Sequence, residues 1–369
     1  MLDKVRVYPY YCENSAFIPP EPMTTLLIEA PRLQETCSRI LQHAAIPPAD
    51  AQFVALSLTE ADLRGIHSHG SMRLGRYVRE LREGITNPSP QIRSLEEGPA
   101  FARIDGDGGL GQLVGRQSMS LCIAKARQAC SATVTACRSR HFGAAGFFAL
   151  MALEHDLIGV TMTVASPRLA PTGGTLPLFG NNPLAMAVPG NGDFPLLVDF
   201  ATGSIAAGNL ELAAANGTPI PLGVARDLQG NPTTDPKVAL QGTIVPIAEH
   251  KGYGLTLLIE VLAGLLGGSP YFGVEKKQVD EHVREQGIGH FFMAIDPSRF
   301  MPLPQFKAAV ALMVAQTKTS PRMPGVVEIL LPGELEARRR QDRLRQGIPL
   351  AASTVEMLRK LGRECGAEL

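Results

Sequence analysis

The chain has 369 residues, 45% of them hydrophobic, which is enough to bury a large core and to build two or three domains. Its 35 Lys and Arg balance 35 Asp and Glu, so no global field draws it to nucleic acid or to an anionic membrane surface, and small molecules or protein are the expected partners. With no Trp and 5% aromatic residues, a base-stacking surface is not expected either.

Residues 1–24 carry charges, tyrosines and prolines but no apolar signal-peptide core, and read as a loose extension. TTLLIEA then reads as a short strand and PRLQETCSRILQHAA as a helix. Pro47 and Pro48 break that pattern, and Asp50 is a candidate cap for a second helix, AQFVALSLTEADLRG, whose apolar positions recur at three and four. GITNPSPQIRSLEEG, from Gly84, reads as a loop and AFARI as a strand. SMSLCIAKARQAC, SATVTAC and AAGFFALMALEHD follow as helix, strand and helix, an alternation that points to an α/β layered domain.

From Leu157 to Phe200 the texture changes. LIGVTMTVAS, NNPLAMAVPG and FPLLVDFA are short strands without crossover helices, which favours largely antiparallel pairing. GTPIPLGVARDLQGNPTTDP is expected to be an extended loop. HKGYGLTLLIEVLAGLL is too short to cross a bilayer and carries Glu260, so a buried helix is expected. HFFMAIDPSRF reads as strand and turn, and ELEARRRQDRLRQG as a charged, solvated helix. The six cysteines, Cys12, Cys37, Cys122, Cys130, Cys137 and Cys365, lack C-x-x-C spacing. They are expected to be reduced packing residues of a cytoplasmic protein.

Four stretches bear on chemistry. IDGDGGLGQLVG has the spacing G-x-G-x-x-G at Gly106, Gly108 and Gly111, but no acidic residue occurs between Gly108 and Leu153 to hold a ribose. A tight turn, with Asp105 and Asp107 satisfying backbone amides, is the expected reading. GIHSHGSMRLGRY sets Ser68 beside His69 with Arg73 four residues on; on a helix, a proton donor and a guanidinium would face one small substrate. The competing reading is a surface helix start capped by Ser68, with Arg73 solvated. His67 and His69 lack a third ligand at usable spacing, so no metal site is expected. SRHFGAAGFF places His141 and small residues at a helix start, suited to a phosphate or to close packing. Lys251 in AEHKGYG suits anion binding or ordinary solvation. No G-x-S-x-G elbow and no G-x-x-x-x-G-K-[ST] loop is present.

Taken with SPRLAPTGG, GNNPLAMAVP, VDFATG, NPTTDP, HKGYGLTLLIEVLAG, GHFFMAIDP, MPG and LPGE, in this order from about Thr24 to Pro349, these segments resemble the malate/L-lactate dehydrogenase-like family of NAD(P)-dependent oxidoreductases. Its relatives include ureidoglycolate and sulfolactate dehydrogenases and piperideine- and pyrroline-2-carboxylate reductases. The resemblance implies an α/β fold distinct from the Rossmann fold. Its parts would be a helical domain from both chain ends (25–90 plus 331–369), a small α/β domain (91–140) and an NAD(P)-binding domain with a mostly antiparallel sheet (141–330). It also implies homodimers, a small carboxylate substrate, and NAD or NADP as cofactor.

By matching positions, Ser68 and His69 correspond to the serine and the proton-donating histidine, and Arg73 to the arginine that grips the substrate carboxylate. His141, Phe142, Gly143, Ala144 and Ala145 match a cofactor-contacting segment, and some relatives give His141 the acid/base role. Asn181, Val198, Asp199, Phe200, Glu249, His250 and Met323 match further cofactor positions. Ala207 and Asn209 replace residues that are often charged, Asn209 standing where cyclic-imine reductases carry a relay aspartate beside the substrate. Val164 and His67 also depart from the usual pattern. The expected activity is hydride transfer between nicotinamide and C2 of a small 2-oxo or 2-hydroxy acid. Cyclic-imine carboxylate reduction and cofactor binding without turnover are the alternatives.

Overall fold

The computed structural model describes residues 25–367 and 369; the expected extension at 1–24, with Cys12, lies outside the described residues. Strand β1 (Thr25–Ile28) leads into helices α1 (Ala30–His43) and α2 (Pro48–Leu63), and two 3-10 turns, His67–His69 and Ser71–Arg73, connect α2 to α3 (Leu74–Arg82). Then come β2 (Arg93–Gly98), β3 (Phe101–Asp105), α4 (Gly111–Ala129), β4 (Ser131–Ser139), α5 (Ala145–Met151) and β5 (Ile158–Thr163). The middle of the chain forms β6 (Pro167–Leu169), β7 (Phe179–Gly180), β8 (Pro183–Val188), β9 (Leu196–Ala201), α6 (Ala207–Asn216), β10 (Ala225–Arg226), α7 (Pro236–Gln241) and β11 (Thr243–Ile244). Helix α8 (His250–Ile259) runs into a π-helical turn at Glu260–Leu265. The chain ends with α9 (Val279–Glu285), β12 (Ile288–Ile295), α10 (Leu303–Thr319), α11 (Glu334–Gln346), β13 (Ile348–Ala351) and α12 (Ala352–Cys365).

The two ends of the described chain meet because β1 pairs antiparallel with β13, Leu26 opposite Leu350. Around this ribbon, α1 turns Leu33, Cys37 and Leu41 inward at helical spacing, against Leu58 of α2, Tyr77 of α3 and Leu358 of α12. A seven-stranded sheet in the order β2-β3-β4-β12-β5-β8-β9 forms the centre. Its β3–β4 pair is parallel and its other pairs are antiparallel. Phe292 and Ala294 of β12 face a core shared with α4 and α5, and Phe291 faces one shared with Ile259, Ala263 and Tyr271. Burial on both faces is why GHFFMAI is apolar without alternation.

Several expectations change here. The loop expected from Gly84 ends in an edge strand, β2, whose side chains are mostly exposed and so leave no alternating apolar signal. Asp50 does not cap α2; Pro47 holds that position, and Asp50 Oδ1 pairs with Arg116 of α4 at 2.6 Å. The expected loop at GTPIPLGVARDLQGNPTTDP contributes β10, paired with β11. The helix expected to be buried from His250 is buried along one side, and Leu257, Leu258, Val261, Leu265 and Leu266 are exposed. Its Glu260 is tolerated inside because Oε1 accepts from the amides of Tyr271 (2.6 Å) and Phe272 (2.8 Å). The helix expected to be solvated, α11, keeps its charges other than Glu334 at least partly exposed, and one of them, Arg340, also forks onto Glu60 of α2 at 2.7 and 2.8 Å. The boundary expected at residue 140 does not follow the sheet, which takes β2, β3 and β4 into one layer with β12 and β5. A smaller sheet, β10-β11-β6-β7, with its own core around Leu169, Phe179 and Ile244, forms within residues 167–244.

Candidate active site

The segment between α2 and α3 is shaped by Asp62. Its carboxylate, almost fully buried, accepts from Ser71 N at 2.7 Å and lies 2.7 Å from His67 Nδ1. A Cβ on Gly70 would sit 2.1 Å from Asp62 Oδ1, so the turn closes over the carboxylate only with glycine at this place. The result is two 3-10 turns and not the single helix that would put His69 and Arg73 on one face, nor a helix capped by Ser68. His69 and Arg73 are brought together all the same, because the turn folds back. Ser68 Oγ lies 2.9 Å from His69 Nδ1, and Arg73 Nε donates to Ser68 O at 2.5 Å. Arg73 makes no ion pair among the described residues. His67 points the other way, toward Asp62 and Arg343 of α11, so His67 and His69 do not share a site.

His141, 64 residues from Tyr77 in the chain, completes the cluster. Its ring stacks on His69 with centroids 5.5 Å apart and planes at 20°. Gln112 Nε2 donates to Tyr77 Oη at 3.0 Å, and Tyr77 Oη lies 2.7 Å from His141 Nδ1. With its oxygen taken by Gln112, the phenol gives its proton to Nδ1, and neutral His141 keeps its own on Nε2. Gly143 N also points at Nδ1, at 3.4 Å. Desolvation with the adjacent Arg73 charge pushes His69 down to about 3, and desolvation with repulsion from His69 and Arg73 holds His141 well below the ordinary imidazole value. Both rings are therefore neutral at physiological pH. Burial pushes Tyr77 up to about 12, which keeps it a donor.

The glycine-rich stretch supports this cluster from behind. Asp105 accepts from Asp107 N and Asp107 from Gln91 N, both at 2.9 Å, and Gly108 adopts φ +68°, as the tight-turn reading requires. Gly111 opens α4, where a Cβ would meet Arg140 O at 2.2 Å and Phe142 Cα at 2.6 Å. The third glycine thus admits the backbone beside His141.

The remaining expected site residues are spread around this centre. Gly208 places the first turn of α6, which carries Ala207 and Asn209, against the cluster: a Cβ there would lie 3.0 Å from Ser68 Cβ and 3.1 Å from Arg73 Nη2. Asp199 Oδ2 accepts from Gly146 N at 2.8 Å, tying β9 to the segment His141–Ala145; burial pushes its carboxyl up to about 6. Val198 and Phe200 flank it, half-buried. Asn181 spends its amide inside the protein, accepting from Gly203 N at 2.6 Å and donating to Ile205 O at 3.0 Å. Glu249 and His250 are exposed at the start of α8, where Glu249, at φ +51°, helps line a cavity of about 230 Å³ with Arg226, Thr172 and Thr243. Met323 is exposed in the loop after α10 and joins none of these contacts. Sequence reasoning missed Asp62, Tyr77 and Gln112. Tyr77 stands four residues beyond Arg73, and Gln112 follows Gly111, but nothing local ties either to His141.

Residues 28–359 match the malate/L-lactate dehydrogenase family. The chain belongs to that family. A malate dehydrogenase of Pyrococcus horikoshii is 40% identical over 347 residues, covering 91% of this chain and 95% of the relative. An L-sulfolactate dehydrogenase of Methanocaldococcus jannaschii is 38% identical over 330 residues, covering 89% and 94%. The solved structure of malate dehydrogenase from Pyrococcus horikoshii superposes with a TM-score of 0.86 at 36% identity, over 96% of this chain and 99% of that one. As a malate/L-lactate dehydrogenase family member the chain is an oxidoreductase of mixed α/β fold. No described helix is long and apolar enough to cross a membrane.

Proposed function

We propose that the chain transfers hydride between a nicotinamide cofactor, NAD or NADP, and C2 of a small malate- or lactate-like 2-oxo or 2-hydroxy acid. The observation that carries this reading is a guanidinium without an ion pair, Arg73, beside two stacked neutral imidazoles. The donor set also suits a nicotinamide dinucleotide. Gln112 Oε1 is buried without a partner near the His141–Ala145 turn, where a ligand amide can satisfy it, and Asp199 presents a carboxylate beside the same turn. His141–Ala145, Val198, Asp199 and Phe200 would hold the cofactor against a mostly antiparallel sheet rather than a doubly wound one, with Glu249 and His250 further along it. The part proposed for Asn181 is to hold the turn at 203–205.

A bound nicotinamide supplies or accepts the hydride. Arg73 grips the substrate carboxylate in a forked pair and so aims C2. In the oxidative direction His69 takes the hydroxyl proton while the C2–H electron pair leaves as hydride, and the C–O bond becomes a carbonyl. In reduction, hydride reaches C2, the carbonyl electrons move to oxygen, and the His69 imidazolium returns the proton. His141 donates a hydrogen bond from Nε2 to the same oxygen as charge grows on it. Because Arg73 repels the His69 proton, a carboxylate bound at Arg73 relieves that repulsion and makes His69 a better proton carrier when substrate is present.

The test is a panel of 2-oxo acids with NADH and with NADPH, run beside piperideine- and pyrroline-2-carboxylate. Turnover of 2-oxo acids is expected. Turnover of the imines alone would replace the reading with cyclic-imine reduction, and cofactor binding with no turnover would mark a non-catalytic protein. R73M is expected to lower kcat/KM for carboxylate substrates about 100-fold or more, and near-normal kinetics would refute the grip.

A further inference from the structure

His290 of β12 is 0% exposed and takes no part in the chemistry above, yet both of its ring nitrogens are used. Nδ1 lies 2.7 Å from Thr163 Oγ1 and Nε2 lies 2.8 Å from Ser139 Oγ. Thr163 Oγ1 also faces the carbonyls of Gly289 (3.0 Å) and Val164 (3.1 Å), and Ser139 Oγ that of Arg140 (3.4 Å). The neutral ring therefore has a hydroxyl at each end, donating through one nitrogen and accepting through the other. Burial holds the ring neutral, its pKa down to about 3. An apolar side chain would fill this place without the desolvation cost of an imidazole, so the polar choice calls for an account.

That account lies in what the two ends of the ring touch. Thr163 is the cross-strand partner of His290 on β5, and its bond joins two sheet strands. Ser139 is the last residue of β4, beside the register shift between Ile288 and His290, where the chain leaves the sheet toward His141. The ring face stacks on Phe142, centroids 4.6 Å apart and planes at 7°. His290 thus grips the chain two residues before His141 and one residue after it. We propose that His290 is a positioning residue for His141, fixing through Ser139 and Phe142 the ring orientation that keeps His141 Nδ1 on Tyr77 and its Nε2 toward the substrate. The inference rests on the reading of His141 given above.

Four variants test it: H290F, which keeps an aromatic ring against Phe142 and loses both hydrogen bonds; S139A, which cuts the arm toward His141; T163V, which cuts the arm away from it; and H141A. H290F and S139A are expected to lower kcat about 10- to 100-fold, with KM for the acid within about twofold of wild type. Their kcat/KM against pH profile should move, and the His141 nitrogen resonances in histidine-labelled protein, assigned with H141A, should shift. T163V is expected to lower the unfolding temperature and leave kcat and these resonances in place. Folded H290F and S139A with wild-type kcat and unshifted His141 resonances would overturn the proposal. So would a T163V kcat loss equal to theirs, since core stability would then explain all three. If H141A keeps wild-type turnover, the catalytic reading of His141 falls, while the resonance shifts still decide whether His290 positions it.

Discussion

Tyr77 decides which nitrogen of His141 carries the proton. Its hydroxyl is the buried link between Gln112 and His141 Nδ1, and without it the ring is free to exchange tautomer and rotate. Y77F is expected to lower kcat about 10- to 100-fold, the consequence of leaving buried polar atoms unpaired, with KM for the acid little changed; steady-state kinetics on both parameters check this. Ser68 and His69, adjacent in the chain, were legible as a pair because their contact needs no long-range fold. Arg73 was legible as a group able to pair with an anion by its type, but its nearness to Ser68 and His69 comes from the folded-back turn and not from helical spacing. The partner of His141 was not, since 64 residues separate it from Tyr77 and only the approach of α3 to the segment after β4 closes that gap.

The stretch from His67 to Arg73 shows how one buried group shapes an element. A continuous helix here would set His69 and Arg73 on one face, but Asp62 captures the amide of Ser71 and fills the space over Gly70, so the backbone tightens into two 3-10 turns. G70A would drive a Cβ into the carboxylate. A loss of about 2–3 kcal/mol of stability is expected from such overpacking, with a parallel fall in turnover, measured by denaturant unfolding and by assay. Elsewhere, helix α1 and strand β4 were readable because apolar spacing and β-branched runs are local properties. Strand β2 was not, since an exposed edge strand exists through its pairing with β3 alone. The solvated reading of α11 suits most of its charges and misses one long-range pair, Arg340 on Glu60, 280 residues away.

For the whole molecule, four depressed histidines, His282 among them, dominate the response to acid. His69, His141, His282 and His290 have folded-state values below that of a free imidazole, so the unfolded chain binds more protons as pH drops below about 6.5. Stability fully present above that pH is lost as pH falls toward about 3. Asp199 and Glu260, raised by burial, pull the other way; for Asp199, stability present below 3.8 is lost as pH rises through about 6. With His69 and His290 each displaced further than Asp199, an unfolding temperature lower at pH 5 than at pH 7.5 is expected by scanning calorimetry, and the reverse order would contradict this balance.

The exposed leucines of α8 and its π-turn bear on assembly, Leu258 being 47% and Leu265 57% exposed. Apolar exposure of this extent on one helix suits cover by a second copy, in line with the homodimer implied by the family resemblance. Light scattering is expected to give twice the chain mass, and L258E/L265E the single mass; a monomeric wild type would remove the dimer.

By itself the sequence determined the α/β class, the antiparallel character of the central strands, and the residue types able to hold a carboxylate and move a proton. These follow from periodicity, turn chemistry and side-chain chemistry, all of which act over a few residues. Only the tertiary structure decided that His69 and His141 stack as neutral rings, that Tyr77 sets a tautomer, that strands from both sides of residue 140 join one sheet, and that Gly111 serves the site by yielding space. Each of these depends on burial or on contacts between distant segments, and neither desolvation nor close approach of backbones is written in local sequence.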